Sequence, residues 1–308
     1  MEHLAQLIKL QDYISRYEWN PFRYPSQFIR LKQENWKKLT VEWEQIVEEP
    51  EEEEASPKSS RFSKWKRWKQ KPRVDVTGER DHTESLPPTK EELKHYFLNR
   101  LMEIQMKWAT STITDISYIN QKYSYDPEIK YFLQRFPDTY LIMYYPIFNI
   151  KKAPIEGEII VITPINIEII YLMDEGKDAM IIASDERTWT VDVQDKRYKI
   201  INPHIALKRT EQIIKSVLAF HDLEFPIKKT VLSKTNEILY TDEPFYTQLV
   251  GRKQYEEWFL TMRSLSSPLK NQQLRVADAL LKHCQTSSVK RPEWDEETYA
   301  FGFTEENN

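Results

Sequence analysis

The centre of the chain limits its fold most strongly. Residues 158–164 read EIIVITP and residues 165–173 read INIEIIYLM, two β-branched runs joined through a proline-containing turn. Runs of this kind, bounded by turn residues, form strands. Further strand candidates lie at 139–148, at 179–184, in the alternating TWTVDV of 188–193, and in short stretches at 228–232 and 238–240. Helical patterns bracket them. Thr89 can cap a helix that has Glu91 and Glu92 in its first turn and an apolar stripe of Leu93, Phe97, Leu101, Ile104 and Trp108. Asp126-Pro127-Glu128 opens another helix, with proline at its first position and Ile129, Phe132 and Leu133 on one side. Asn202-Pro203 starts a third, carrying Ile205, Leu207, Ile213, Ile214, Val217 and Leu218, and two more follow around 253–265 and 269–283. Helix, strands, helix, strand and helices in that order predict an α/β sandwich over residues 89–285.

The flanks differ in character. Residues 1–47 have helical spacing in Leu4, Leu7, Ile8, Leu10 and Ile14, and again in Phe28, Leu31, Trp36, Leu39 and Trp43. With Pro21 and Pro25 as the break, they predict an N-terminal helical hairpin. Residues 48–88 predict a disordered charged linker: six glutamates surround Pro50, then a basic half carries Arg61, Lys64, Lys66, Arg67, Lys69, Lys71 and Arg73. Trp65 and Trp68 stand among these cations. That mixture is either a self-neutralising solvated linker or a surface for nucleic acid, through phosphate contacts by Arg61, Lys64, Lys66, Arg67 and Lys69 and stacking by the two indoles. Peripheral contact of 61–73 with an anionic membrane is a further use of the same residues. Residues 286–308 predict a polar tail.

Absences exclude several chemistries. Five glycines among 308 residues leave no Walker loop and no dinucleotide fingerprint. No serine occupies a G-x-S-x-G elbow. The single cysteine, Cys284, excludes an internal disulfide and any zinc site that needs several thiolates. The six histidines include no HExxH pair, and no apolar run reaches membrane-spanning length. The start MEHLAQLIKLQDYI lacks a basic head and a small-residue cleavage site, so a cytoplasmic protein without a secretory signal is expected. A formal net charge of −4 gives no global attraction to polyanions, so any such affinity is local. His204, Trp189 and Cys284 read as a capping or surface histidine, a packing anchor and a buried inert thiol.

The pattern with chemical content is acidic residues at strand ends. A metal-dependent nuclease needs carboxylate oxygens for Mg²⁺ and a lysine near the attacked phosphate. Glu-x-Lys suits a strand because residues two apart share one face. The helix at 127–136, the strand at 139–148, the IEGEIIVITPINIEIIYLM hairpin, Thr188-Trp189 and the Asn202-Pro203 helix start together resemble the nuclease-related domain (NERD) family, over about residues 125–265. That family is similar to restriction-endonuclease-like nucleases, so the resemblance implies a helix–strand–hairpin–helix core with a central mixed sheet flanked by helices.

The family's functional positions carry over unevenly. Its first-helix Glu corresponds to Glu128. The Asp of its I-D-x-I-V-V-T-P pattern corresponds to Glu158, counted back from Thr163-Pro164. Its Glu-x-Lys falls on Tyr171 and Met173, and a Gln after the Asn-Pro helix start falls on Ala206. A displaced Glu-x-Lys exists at Glu175 and Lys177, within the turn signature DEGKD. The resemblance therefore implies a pseudoenzyme with no cofactor, a module binding DNA or a protein partner. The alternative is an active Mg²⁺-dependent DNA nuclease using Glu128, Glu158, Glu175 and Lys177, with Glu128 and Glu158 on the metal. A third expectation is an adaptor or structural protein with no nucleic acid role.

Overall fold

A computed structural model of the chain describes residues 4–48, 86–150, 153–176, 178–194, 196–240 and 246–291. The described residues divide into two compact units, 1–30 with 105–308, and 31–104. The larger unit is mixed α/β.

The first element corrects the sequence expectation for residues 1–47. Gln6–Leu10 is a strand, β1, and not a helix. It runs parallel to a strand from the middle of the chain, with Gln6 beside Leu141 and Leu10 beside Tyr144. All five of its residues are buried. A strand covered on both faces reads as a continuous apolar run, and a run this short fits helical and extended spacing equally well. The chain then forms α1 (Arg16–Trp19), whose N-cap Ser15 and Glu18 make a capping box. The long helix α2 spans Tyr24–Glu48, with Pro25 inside its first turn, where a missing N–H costs nothing.

Helix α3 (Lys90–Trp108) starts as its capping chemistry predicts. The Glu92 N–H donates to Thr89 Oγ1 at 3.2 Å, and the Thr89 N–H returns to Glu92 Oε2 at 3.3 Å. Within the smaller unit, α2 and α3 pair through Trp36 and Phe97, whose ring centroids are 5.2 Å apart. Most of α2 and the first part of α3 thus share one compact unit, whereas the sequence expectation divided the chain at residues 47 and 88. The stretch 49–85, with all of the expected linker but Glu48 and residues 86–88, lies outside the described residues, as does the tail from 292.

The remaining elements follow in chain order: β2 (Asp115–Ile116), α4 (Pro127–Arg135), β3 (Leu141–Tyr144), β4 (Ile147–Ile150), β5 (Ala153–Glu156), β6 (Ile159–Ile162), β7 (Ile167–Leu172), β8 (Met180–Ile182), β9 (Thr188–Val193), β10 (Lys196–Ile201), α5 (His204–Phe220), β11 (Ile227–Leu232), β12 (Glu237–Leu239), β13 (Gln248–Val250), α6 (Tyr255–Ser264), α7 (Asn271–Lys282) and β14 (Val289–Lys290). Among the described residues the main sheet has six strands in the order β1-β3-β6-β7-β11-β13. β6 is antiparallel to both neighbours, and the other pairings are parallel. The expected hairpin is the β6–β7 pair, in register from Ile159 opposite Ile170 to Ile162 opposite Ile167. A second sheet runs β10-β9-β8-β12.

The single strand expected over 139–148 is two. Tyr145 adopts a positive φ of 44°, which ends β3 and turns the chain into the β4–β5 ribbon. The expected loose tail is partly tied down, since β14 pairs with β2 and the Ser287 N–H donates to the Asp12 carbonyl at 2.7 Å.

Helix α5 packs on β7, β11 and α7, while α4 packs on β3. Helix α7 locks the sheet through Gln273, which is fully buried and donates from Nε2 to the carbonyls of Thr139 at 2.7 Å and Ile162 at 3.0 Å. Trp189 is fully buried with its indole N–H on the Ser184 carbonyl at 2.8 Å, as a packing anchor should be. Burial pushes the Cys284 thiol up to about 12, which keeps it protonated. No helix among the described residues is long and apolar enough to cross a membrane.

Candidate functional site

The site forms where the start of α4 meets the ends of β3, β6 and β7. Asp126 caps α4, its Oδ1 accepting from the N–H groups of Glu128 at 2.8 Å and Ile129 at 3.2 Å. Glu128 therefore sits in the first turn, where the helix dipole favours an anion. The Tyr144 hydroxyl, at the end of β3, lies 3.1 Å from both Asp126 Oδ2 and Glu128 Oε2. Burial pushes the Glu128 carboxyl above its ordinary range; the Tyr144 hydrogen bond pulls it back and the Asp126 charge adds to the rise. Lys234 also faces Glu128 electrostatically, with its ammonium 4.2 Å from the centre of the Tyr131 ring.

Glu158 immediately precedes β6. Its backbone N–H donates to Thr210 Oγ1 of α5 at 3.1 Å, which places it on the α5 side of the sheet. Its Oε1 lies 3.7 Å from the guanidinium of Arg209, which also donates to the Glu156 carbonyl at 3.2 Å. Only 11% of the Glu158 side chain is exposed. Burial raises its carboxyl to about 7, with Arg209 opposing the rise and Glu156 assisting it.

The β6–β7 register puts Ile159 opposite Ile170, so one step further Glu158 faces Tyr171. The two interact electrostatically. Met173, two residues on from Tyr171, shares its side of the strand and is buried. The positions where the resemblance places a strand-borne carboxylate, a second carboxylate and a lysine are therefore a carboxylate, a phenol and a thioether. Ala206, where the resemblance has a Gln, lies half-buried in the first turn of α5.

Glu175 lies beyond β7 in a turn, as DEGKD suggested. Its N–H donates to Asn236 Oδ1 at 3.0 Å and its Oε2 accepts from the Tyr198 hydroxyl at 2.9 Å. Asn236 fixes the same turn by donating to the carbonyls of Gly176 at 2.7 Å and Ala179 at 3.1 Å, and Gly176 takes the positive φ of 87° that the turn requires. Lys177 lies outside the described residues, and so do Arg61, Lys64, Trp65, Lys66, Arg67, Trp68 and Lys69.

Two tyrosines interact electrostatically with the three expected carboxylates. Tyr145 is half-buried and interacts with Glu128 and Glu158, and half-buried Tyr171 does so with Glu158 and Glu175. Burial, the largest cause, and these carboxylates after it push both phenols up, so neither becomes an anion near neutrality. Glu128, Glu158 and Glu175 thus share a neighbourhood, yet each is committed elsewhere: Glu128 to Tyr144, Glu158 to Arg209, Glu175 to Tyr198. Among the described residues no three carboxylate, imidazole or thiolate groups stand together at metal-ligand spacing. Mg²⁺ is held by one or two carboxylates together with water and substrate phosphates, and here each of the three carboxylates already has a protein partner.

Arg209 and Lys234 are the residues that sequence reasoning missed. Arg209 precedes a buried threonine in a helix of ordinary pattern, and Lys234 occupies a loop, so neither carries a local signal. His204 is half-buried at the start of α5, its N–H on Asn202 Oδ1 at 3.0 Å and its ring on the edge of Trp189. Burial pushes its pKa down.

No family model matches the chain, and no solved structure matches it. A stretch of 43 residues is 51% identical to a protein from Geobacillus stearothermophilus named RNA 2',3'-cyclic phosphodiesterase. That stretch is 14% of this chain and 14% of that protein.

Proposed function

We propose that the chain carries a nuclease-related domain that no longer hydrolyses phosphodiester bonds and acts as a nucleic-acid-binding module. The order α4, β3, the β6–β7 hairpin and α5, with β4–β5 and β8–β10 as further strands between them, supports the resemblance to restriction-endonuclease-like nucleases. The observation that carries the loss of catalysis is the facing of Glu158 by Tyr171, with Met173 where a lysine would balance phosphate charge. Arg209 occupies the carboxylate that would otherwise hold a metal. A scaffold can lose its reacting groups and keep its fold and its binding surface. The short match to the Geobacillus protein covers too little of either chain to carry an activity across.

Plasmid incubated with the full chain in Mg²⁺ or Mn²⁺ tests this, with Glu158→Ala as control. No cleavage by either protein is expected. Cleavage by the wild type that Glu158→Ala abolishes overturns the proposal.

One observation favours the active nuclease as a second reading. Tyr145 interacts electrostatically with Glu128 and Glu158, and Tyr171 with Glu158 and Glu175, so a movement of Arg209 away from Glu158 would leave that carboxylate open to a metal near two others. The same assay decides between the two.

A further inference from the structure

The C-terminal ends of α5 and α7 meet at two imidazoles. His221 is the C-cap residue of α5, and His283 that of α7. Their Nε2 atoms are 3.1 Å apart and their rings cross at 79°. Both backbones are fixed, the His221 N–H on the Leu218 carbonyl and the His283 N–H on the Leu280 carbonyl, each at 3.1 Å. Phe220, which is 74% exposed, lies T-shaped to both rings.

Two imidazole nitrogens this close either share a proton or share a cation. At the usual zinc–nitrogen distance of about 2.0–2.1 Å, a separation of 3.1 Å corresponds to a ligand–metal–ligand angle of about 98°. That angle lies between octahedral and tetrahedral coordination. The rings are carried on packed helices, so the separation is held before any ligand arrives. Two helix C-termini also converge here, and each presents partial negative charge that favours a cation. Burial and the neighbouring His221 lower the pKa of His283, which favours the neutral imidazole that ligates metal.

We propose that His221 and His283 form a two-imidazole site for a divalent transition metal of the zinc class, completed by water, that clamps the end of α5 to the end of α7. Imidazole suits zinc, copper and nickel, whereas hard Mg²⁺ prefers oxygen. Among the described residues no third protein ligand joins the pair, so binding is of modest strength. The site is separate from the carboxylates at the other end of α5. Thr210, which bonds the Glu158 N–H, precedes His221 by a helical distance of roughly 17 Å.

Titration of the metal-free full chain with Zn²⁺ by calorimetry tests this, together with the visible spectrum of added Co²⁺. One Zn²⁺ per chain is expected, and a Co²⁺ ligand-field band should appear. Partners that merely orient a ligand are worth 10–100-fold in affinity, so His221→Ala and His283→Ala should each weaken Zn²⁺ binding by at least about tenfold. His95→Ala, remote from the pair in sequence, serves as the control and should leave it unchanged. In wild-type chain labelled with ¹⁵N-histidine, Zn²⁺ should shift the ring nitrogens of two of the six histidines, a readout that needs no variant to fold. Absence of Zn²⁺ binding by the wild type, or wild-type affinity retained in both variants, overturns the proposal and leaves a hydrogen-bonded imidazole pair.

Discussion

Glu158 shows how burial and charge compete at one side chain. Its carboxyl titrates near 7 in the folded chain, against an ordinary value of 4.5. Below about pH 4.5 it is neutral folded and unfolded, and the buried neutral form then costs nothing extra. As pH rises toward 7 the unfolded chain releases this proton first, and above 7 an anion is retained in a poor solvent at a cost of up to about 3 kcal/mol. Glu158→Gln should therefore stabilise the protein more at pH 8 than at pH 5 in thermal melts. A gain larger at pH 5 would mean that the Arg209 pairing outweighs desolvation. Lys9 presents the opposite balance. It is fully buried, with its ammonium 2.6 Å from Glu18, 2.9 Å from the Tyr13 carbonyl and 3.0 Å from Thr286. Lys9→Met leaves Glu18 without its cationic partner, though still accepting from Ser15 and Thr286, and should cost about 3 kcal/mol in urea denaturation. A cost under about 1 kcal/mol would show that Glu18 finds solvent instead. Counting back from Thr163-Pro164 was enough to locate Glu158. Nothing in the sequence pointed to Lys9 or Arg209, because each depends on a partner brought in by the fold.

Elements were legible where periodicity and capping agreed. The start of α4 at Asp126-Pro127 and of α5 just after Asn202-Pro203 match the expectation, since the chemistry of a helix start is local. The β6–β7 hairpin matches because both runs are long, β-branched and separated by a turn. β1 was misread because five buried residues give too few repeats to choose between periods. β10 (KRYKII) and β13 escaped notice for a different reason: one is polar and largely exposed, the other only three residues long, and both depend on neighbouring strands. The packing of α1, α2 and α3 in the larger unit is equally non-local. Trp108, at the end of α3, meets Tyr24 at 5.6 Å and Phe28 at 5.8 Å edge-on, and Tyr17 at 6.0 Å. It is 1% exposed. Trp108→Ala empties the centre of this aromatic group and should cost about 3–5 kcal/mol in denaturant unfolding. A cost below about 1 kcal/mol would show that the surrounding rings collapse into the space.

On the scale of the whole molecule, the charge of the sequence is unevenly distributed, and this bears on the proposed binding function. Residues 61–73 hold seven cations and two indoles, while the chain as a whole carries −4. A polyanion is therefore repelled by the average charge and attracted by one stretch, so affinity should vanish steeply as that stretch is screened. Seven cations cannot all reach phosphates at once, and engagement of about four gives a slope of roughly −4 in the logarithm of affinity against the logarithm of salt. The indoles add stacking that salt does not screen, so single-stranded DNA should retain more affinity at high salt than duplex. Deleting 61–73 should remove the salt-dependent binding measured by fluorescence anisotropy while the thermal unfolding of the folded body stays unchanged. Replacing Trp65 and Trp68 with alanine should weaken the single-strand complex and leave the salt slope as it was. If the six glutamates around Pro50 pair with these cations, neutralising them to glutamine should tighten binding at low salt and have little effect at high salt. DNA binding that survives the 61–73 deletion with its slope intact would transfer the affinity to the α/β body, and the basic segment would then have no part in it.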